Sequence, residues 1–418
     1  MAISDPMPSS SRRNVVVTGL GAVTPLGGDA ASSWQALAAG RDAERPIPSE
    51  LFSTEGYRAQ KAAWAELPEM PEMAAKQLGR LSRASRLAIP AAREALASAG
   101  LLDEEGRSTR PILPLSLSTT GGGMGFGEEF LRAVLAGKRR GLLGRVARYQ
   151  PQQQVLDLQT ALGVSGPSMI VANACASGAN ALGHAADLVA EGVADCVLAG
   201  GFEALTELIF AGFDCLQATT MEKCRPFDLN RSGLLVGEGA AFLVLESEEH
   251  AQRRGAPVLC RVAGYAHTTD FFHLTQPQPE GTALLEVMRR AAARAGLAPG
   301  EIGYVNAHGT ATPINDGPEA NAYRLFFGGD LSATQVRISS SKAAIGHTLG
   351  AAGAVEAFFA IMALRTNRLP PQLNLENPIP EIAAVLAREA EPPRRLEHVL
   401  SVNLGFGGSN AALLFSRS

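Results

Sequence analysis

The second half of the chain repeats the pattern of the first half. An apolar run that ends close to a glycine opens each half, at residues 14–21 and 258–265. A helix rich in small residues follows later in each half, one starting at Cys175 and the other covering residues 350–364. Apolar runs that alternate with helical patterns are typical of α/β folds. The chain is therefore predicted to contain two similar α/β halves, with a functional site where they meet.

The two halves are expected at residues 14–256 and 257–418. The chain of 418 residues is 46% hydrophobic, which is enough for a large core. Residues 1–13 are polar and rich in serine and proline. This composition predicts a disordered N-terminal segment and not a signal peptide. Residues 30–110 are expected to be mostly helical, and residues 202–235 are expected to cover the site.

Composition argues against several classes of protein. A formal net charge of -4 gives no support for nucleic-acid binding. The five cysteines include no CxxC pair, which favours reduced thiols and a cytoplasmic location. Every apolar run is interrupted by glycine or a polar residue before about 18 residues, so no membrane span is predicted. The basic residues Lys138, Arg139, Arg140, Arg145 and Arg148 form either a solvated face or a docking patch for an acidic partner.

Cys175 is the first candidate for catalysis. The apolar residues 168–172 lead into it and small residues follow it, which predicts a buried strand, a tight turn and a helix that begins at Cys175. A helix N-terminus favours the thiolate, and small neighbours leave space for a substrate. A lone cysteine in such a setting is also often a packed core residue. Its assignment as a nucleophile therefore depends on other residues.

Two histidines supply that support. His308 follows the apolar residues 303–306, and His347 precedes the second small-residue helix. Both are predicted at strand-to-helix turns, where α/β proteins place functional groups, although a buried structural role is the alternative for each. No metal site is predicted, because an HExxH motif is missing and Cys175 with two histidines would need a fourth ligand or a water.

Four segments together resemble the β-ketoacyl-[acyl-carrier-protein] synthases of the type with a Cys-His-His triad. They occur in the order found in that family, and the resemblance covers essentially residues 14–416. The family has the thiolase fold, in which two duplicated α/β halves form five layers αβαβα, and its members are dimers. The four segments are Ala-Cys-Ala-Ser-Gly at 174–178, Asn-Ala-His-Gly-Thr-Ala-Thr at 306–312, Ser-Lys through Gly-His to Gly-Ala-Ala-Gly at 341–353, and Gly-Phe-Gly-Gly-Ser-Asn at 405–410.

The resemblance implies a decarboxylative Claisen condensation, catalysed by an acyltransferase. An acyl group would be held as a thioester on Cys175. Malonyl-acyl carrier protein would lose CO2 and give an enolate, whose oxygen would accept hydrogen bonds from His308 and His347. The product would be a β-ketoacyl-acyl carrier protein in fatty-acid, polyene or polyketide chain elongation.

The resemblance also assigns roles around the nucleophile. The backbone N–H groups of Cys175 and Phe406 would form the oxyanion hole. Phe406 would in addition be the gate that moves when the acyl group enters. Lys342 is expected to pair with Glu319 and so to fix the histidine-bearing loops, with Asp316 as a further supporting residue.

Other expectations concern the substrate. Thr310 and Thr312 would hydrogen-bond the phosphopantetheine arm, which belongs to the carrier protein, so the chain itself is expected to hold no cofactor. Gly121 matches a position where the family often has a bulky aliphatic residue, and with Met124 it is expected to line a lengthened acyl pocket. Ser232 stands where the family usually has aspartate, so the local ion pairing is expected to differ.

The expected partners are an acyl carrier protein and a second subunit. That subunit would be either a second copy of the chain or a silent chain-length factor of a type II polyketide or polyene pathway. A chain that is itself a silent factor is disfavoured because Cys175, His308 and His347 are all present. A biosynthetic thiolase would have a cysteine late in the chain, beyond Cys260, and a ketosynthase III-type initiator would have asparagine in place of His347.

Overall fold

Strands and helices alternate along the chain in the computed structural model, which describes residues 12–138, 140–388 and 391–418. The strands are β1 (Val15–Val23), β2 (Glu44–Pro46), β3 (Lys61–Ala63), β4 (Leu115–Ser118), β5 (Ser168–Val171), β6 (Cys196–Glu203), β7 (Gly239–Ser247), β8 (Cys260–Thr269), β9 (Tyr304–Asn306), β10 (Arg337–Ser339), β11 (His398–Gly405) and β12 (Ser409–Ser416). The helices are α1 (Ala30–Ala38), α2 (Ala75–Leu78), α3 (Arg83–Ser98), α4 (Met124–Leu135), α5 (Leu143–Tyr149), α6 (Pro151–Leu162), α7 (Ser177–Ala190), α8 (Glu207–Cys215), α9 (Glu248–Arg253), α10 (Thr282–Ala295), α11 (Asp316–Phe326), α12 (Lys342–Ile345) and α13 (Ala352–Thr366).

The sheet has the same topology in both halves. Its order is β10-β9-β11-β12-β8-β1-β7-β6-β4-β5. Strands β2 and β3 form a separate two-stranded sheet. Counted along the chain without these two, the five strands of each half stand in the order third, second, fourth, fifth, first. The third, second and fourth strands are parallel, and the fourth, fifth and first are antiparallel. The halves join where β1 pairs with β8. The predicted duplication of an α/β unit is confirmed.

Helices and strands form five layers. Helices α7 and α13 lie in the middle and share one apolar core with strands of both halves. Helices α3 and α6 cover the outer face of the first half. Helices α10 and α11 cover the outer face of the second half. This is the αβαβα arrangement that the family resemblance predicted.

The two middle helices approach closely because each has a glycine at the crossing. A Cβ on Gly178 would lie 2.5 Å from the backbone nitrogen of Ala354, and a Cβ on Gly353 would be closer still to the backbone nitrogen of Ala179. Each helix is preceded by a short 3₁₀ turn, at Ala174–Ala176 and Leu349–Ala351. The repeat therefore extends to the turns that carry the site.

Several local expectations were wrong. Residues 39–74 contain β2, β3 and loops, because prolines at 46, 48, 68 and 71 remove backbone donors that a helix needs. Strand β5 was predicted to be buried, but within one chain it is one of the two edge strands of the large sheet, and Ser168 and Met169 are exposed.

Residues 1–11 of the predicted disordered N-terminal segment lie outside the described residues. Arg12 and Arg13 are described and bond to acidic side chains, Arg12 to Asp187 at 3.2 Å and Arg13 to Asp195 at 2.6 Å. The predicted division at 256/257 falls between the end of α9 and the start of β8, and its standing as a domain boundary stays a prediction.

Residues Leu349–Thr366 are long and apolar enough to cross a membrane by length and composition alone, with 18 residues and a mean hydropathy of 1.4. In the described part of the chain this is the one such helix. Because 83% of it is buried inside the protein, its hydropathy is explained by its central place between the two sheet halves.

Gly353→Ala is expected to lower the free energy of unfolding by about 1–3 kcal/mol, because the added methyl group overpacks the crossing of α7 and α13. Denaturant unfolding followed by circular dichroism measures this. Gly212→Ala is the matched control, since a Cβ there meets nothing within 4 Å in helix α8. An equal loss in both variants would contradict the account of the crossing.

Candidate active site

Cys175 lies in the 3₁₀ turn that precedes α7. Ala174 has a positive φ of 58°, which makes a sharp turn after β5. The turn is held by Ser177, whose Oγ donates to the carbonyl of Ala174 and accepts from the N–H of Asn173 at 2.8 Å. The thiol is thereby fixed just before the central helix, which begins at Ser177, two residues after the start predicted at Cys175.

The thiol differs from its prediction in one respect. Burial raises the pKa of Cys175 to about 11, although Lys342 and the backbone N–H of Phe406 oppose that rise. The predicted preference for thiolate is therefore wrong for the resting site, because the loss of water outweighs the helix end. The backbone N–H groups of Phe406 and of Cys175 itself both act to lower the pKa of the thiol. These are the two groups predicted to hold an oxyanion, a role that stays a prediction.

Both histidines face the same cavity as Cys175. His308 follows β9, and its backbone N–H donates to Glu319 at 2.7 Å. The backbone of His347 is held between Leu235 and Gly237 by bonds of 2.7 and 2.9 Å. The two imidazole rings are perpendicular, at 87°, with centroids 5.4 Å apart. The three residues predicted as a triad are thus brought together from both halves.

The hydrogen bonds of the two rings define their tautomers. Nδ1 of His308 lies 3.3 Å from Nζ of Lys342, and Nδ1 of His347 accepts the backbone N–H of Leu349 at 3.2 Å. Burial first, and then the Lys342 cation, hold the pKa of each histidine well below its usual range. Each ring is therefore neutral with its hydrogen on Nε2. Two N–H donors are available to one substrate oxygen.

Lys342 pairs with Glu356 and not with Glu319, so that part of the prediction was wrong. The Lys342–Glu356 ion pair is almost completely buried, with 1% of each side chain exposed. Asn403 donates to the other carboxylate oxygen of Glu356 at 2.6 Å. The sequence does carry a signal for this missed residue, since Glu356 is the one acidic residue in the apolar helix α13.

Glu319 and Asp316 instead accept hydrogen bonds from backbone N–H groups. Glu319 accepts the N–H groups of His308 and Gly309 at 2.7 and 2.8 Å, and burial, followed by the nearby Asp316, raises its pKa to about 7. Asp316 accepts the N–H of Phe227 at 2.8 Å and that of Ala311 at 3.2 Å. Both residues support the loop of His308, as predicted, but through backbone bonds and not through Lys342.

Thr310 and Thr312 line the cavity on the polar side, with their hydroxyl oxygens 3.0 Å apart. Arg231 braces this loop by donating to the carbonyl of Thr312 at 3.1 Å. Ser232, at the position of the family's usual aspartate, bonds by its hydroxyl to that of Thr220 at 2.7 Å. A neutral contact thus replaces the expected charge. The pantetheine-binding role of the two threonines stays a prediction.

Phe406 is the one aromatic residue of the loop between β11 and β12. Its side chain is 38% exposed and its ring centroid lies 6.0 Å from that of Phe213, a cavity residue that the sequence did not identify. Gly407 and Gly408 follow it with positive φ values of 81° and 78°. A Cβ on Gly405 would come within 3.2 Å of the Cys175 nitrogen. Glycines therefore allow both the close approach to Cys175 and a change of loop conformation.

The extra space predicted at Gly121 is not found, and the place of Gly121 and Met124 in an acyl pocket stays a prediction. Neither residue lines the cavity beside Cys175 in the part of the chain that the structure describes. The absent side chain of Gly121 leaves no extra space, because a Cβ there would lie 2.6 Å from Cδ1 of Ile209 and 2.9 Å from Oε1 of Glu203. Ile209 occupies the volume that was attributed to the pocket.

Two family models match consecutive parts of the chain. The N-terminal domain of β-ketoacyl synthases matches residues 12–251, and the C-terminal domain of the same enzymes matches residues 259–376. The chain belongs to the β-ketoacyl synthase family. The predicted family and enzyme class are confirmed, and the chain is a condensing enzyme of the acyltransferase class.

Individual relatives agree over nearly the whole chain. The 3-oxoacyl-[acyl-carrier-protein] synthase 2 of Coxiella burnetii is 33% identical over 97% of this chain and 99% of the relative. The structure of the ishigamide ketosynthase/chain length factor has a TM-score of 0.87 and 31% identity, over 97% of this chain and 100% of that chain. A type II polyketide synthase acyl-carrier protein in complex with its ketosynthase bound to the hexaketide gives a TM-score of 0.85 and 26% identity, over 97% and 100%.

The described residues include no group of three or more His, Cys, Asp or Glu side chains arranged to hold a metal ion. That no metal and no cofactor bind to this synthase stays a prediction.

Lys342→Met is expected to raise the pKa of His308 and His347, since it removes a cation that opposes their protonation. The acid limb of the pH profile for malonyl-thioester decarboxylation should move up by roughly one pH unit, with activity lost as the pH falls through the raised pKa values. The initial rate of CO2 release, measured at a series of pH values, tests this shift.

The single variant leaves Glu356 buried without its cation, which is strongly destabilising. The double variant Lys342→Met/Glu356→Gln removes both charges and keeps the test valid. An acid limb that stays at the wild-type pH in the folded double variant would show that Lys342 does not set the histidine pKa.

Proposed function

We propose that this synthase extends an acyl chain held on Cys175 with the two-carbon unit of a malonyl thioester on acyl carrier protein. The observation that carries the proposal is the convergence of three kinds of group on one cavity. These are a thiol, two Nε2–H donors, and the backbone N–H groups of Cys175 and Phe406. The first half of the chain supplies the thiol, and the second half supplies the imidazoles and the Phe406 loop.

In the first step the Cys175 sulfur attacks the acyl thioester carbonyl. The new carbon–sulfur bond forms on Cys175, the bond to the pantetheine sulfur breaks, and the thiol proton passes to the leaving pantetheine sulfur. The raised pKa of Cys175 requires that this proton leaves only as the substrate binds. The oxyanion of the intermediate accepts hydrogen bonds from the backbone N–H groups of Phe406 and Cys175.

In the second step the malonyl thioester loses CO2. The electron pair of the broken carbon–carbon bond moves onto the thioester carbonyl oxygen, which accepts hydrogen bonds from Nε2 of His308 and His347. Neutral imidazoles suit this role because they stabilise the charge without protonating the enolate. A buried, dry site strengthens both bonds.

In the third step the enolate carbon attacks the acyl-Cys175 carbonyl. A carbon–carbon bond forms, the carbon–sulfur bond to Cys175 breaks, and the sulfur recovers a proton from solvent. The products are CO2 and a β-ketoacyl thioester on the carrier protein. Thr310 and Thr312 are proposed to hold the pantetheine arm throughout.

An acyl carrier protein is the proposed substrate carrier. The type II polyketide ketosynthase described above was solved in complex with its acyl-carrier protein. In this chain the exposed Lys138 and Arg140 offer positive charge, while Arg145 pairs with Glu129 at 3.0 Å. Arg139, the remaining member of the central basic triplet, lies outside the described residues. Of the two roles open for this cluster, the proposal favours docking of an acidic partner.

A second subunit is proposed to cover β5. The strand is an exposed sheet edge, which proteins normally protect. Apolar side chains are also exposed on helices α4 and α5, namely Leu131, Leu135 and Leu143. A second copy of the chain fits this surface, and so does a related chain-length factor of the kind that accompanies the ishigamide ketosynthase.

The cytoplasm is the proposed location. All five cysteines are free thiols, and four of them are buried. This pattern suits a reducing compartment.

Cys175→Ala is expected to abolish acylation and to retain CO2 release from malonyl-acyl carrier protein, because both imidazoles remain. His308→Ala and His347→Ala should show the reverse, with CO2 release reduced about 10²–10³-fold and acylation retained. Intact-mass spectrometry and CO2 release measure the two steps. Acylation that persists in Cys175→Ala would overturn the proposed mechanism.

Met169→Arg is expected to weaken subunit association at least tenfold, since a buried unpaired charge at an interface costs more than about 1.4 kcal/mol. Light scattering after size exclusion, as a function of concentration, measures it. Val193→Arg is the control, because Val193 is also exposed and apolar but precedes β6, which β4 separates from the β5 edge. A fully active wild-type monomer would contradict the proposed subunit.

A further inference from the structure

We propose that Ile209 limits the length of the acyl chain that this synthase accepts. The inference rests on the proposed condensation and names a residue that determines its specificity. It follows from the lining of the cavity, from the face of α8, and from the space next to Gly121.

The residues around the cavity divide into a polar and an apolar group. The polar group comes largely from the loop after His308 and includes Thr310, Thr312 and Asn315. An apolar group from α8 and the segment after it includes Phe213, Ala218 and Leu234. Pro277, Ile314 and Leu404 are apolar residues from other segments, and Ile314 is 49% exposed. An acyl chain is apolar and therefore leaves Cys175 along the second group.

Helix α8 continues this apolar side. Ile209 lies four residues before Phe213, so both side chains are on the same face, one turn apart. Both pack on one apolar cluster that contains Leu205, Phe210 and Leu234. Ile209 is therefore the next apolar side chain that an acyl group meets beyond Phe213.

The space beyond Ile209 is closed by fixed backbone. Cδ1 of Ile209 lies 2.6 Å from where a Cβ of Gly121 would be. The N–H groups of Thr120 and Gly121 both donate to Glu203 at 2.7 Å, and Glu203 is fully buried. The loop cannot retreat without breaking these bonds, whereas Ile209 is only partly buried and can change rotamer.

The cavity itself is small. It holds about 60 Å³ of free space, which is room for a handful of water molecules. An elongated acyl chain must therefore displace side chains, and Phe406, Phe213 and Ile209 are met in that order. The size of the side chain at position 209 then determines how many carbons fit before the chain reaches the loop at Gly121.

The test compares Ile209→Ala with Leu208→Ala. Leu208 is the adjacent residue on α8, loses a similar volume and has an exposed side chain, so it is the matched control. Acyl-carrier proteins loaded with saturated chains of increasing length serve as substrates, and the acyl-Cys175 adduct and the condensation rate are measured. For the first chain length that the wild type rejects, Ile209→Ala should gain about tenfold in rate. Leu208→Ala should keep the wild-type profile.

A second pair of variants tests the contact with Gly121. Gly121→Ala pushes against Ile209 and should move the limit to shorter chains, and Gly121→Ala/Ile209→Ala should return it to the wild-type length or beyond. A double variant that keeps the shortened limit, or an Ile209→Ala profile equal to that of wild type, would overturn the inference. Failure of wild type to form any acyl-Cys175 adduct would instead refute the proposed function.

Discussion

The buried ion pair between Lys342 and Glu356 is the interaction on which the catalytic arrangement depends. Burying both charges carries a large desolvation cost, so the pair needs short geometry and further hydrogen bonds to persist. Asn403 supplies one such bond, to the carboxylate of Glu356. The ammonium group of Lys342 makes the other, to Nδ1 of His308. Burial, together with this cation, keeps both imidazoles neutral. The lysine directs the hydrogen of His308 to Nε2, and the backbone N–H of Leu349 does the same for His347. The same charge lowers the pKa of Cys175 against the effect of burial.

Duplication explains why the site needs both halves. Ala174 and Leu349 share a positive φ, and each begins the 3₁₀ turn before a central helix. The residue after this position is Cys175 in the first half and Gly350 in the second. Gly350 has no side chain for chemistry, and its N–H binds Glu203 of the first half at 3.1 Å. Equivalent backbone turns thus have different roles in the two halves. The first carries the nucleophile, and the second carries a residue that makes a structural contact.

Some of this could be predicted from sequence because it is written in local patterns. The repeat of apolar runs predicted the duplicated fold, and strand-to-helix turns identified Cys175 and His308. The lone acidic residue of α13 marks Glu356 as unusual, but its pairing with Lys342 depends on which face of α13 meets the histidine loop, and that is decided by tertiary packing. The state of the Cys175 thiol depends on burial, which a helix start does not reveal. Gly121 was misjudged because the neighbour that fills its space, Ile209, comes from a distant helix.

The central claim is that both imidazoles are neutral and carry their hydrogen on Nε2, so that two donors await the enolate oxygen. Neutron diffraction from a deuterated crystal at neutral pH shows these hydrogens directly. The account predicts deuterium on Nε2 of His308 and of His347, none on either Nδ1, and three deuterium atoms on Nζ of Lys342. Deuterium on Nδ1 of either ring would contradict it.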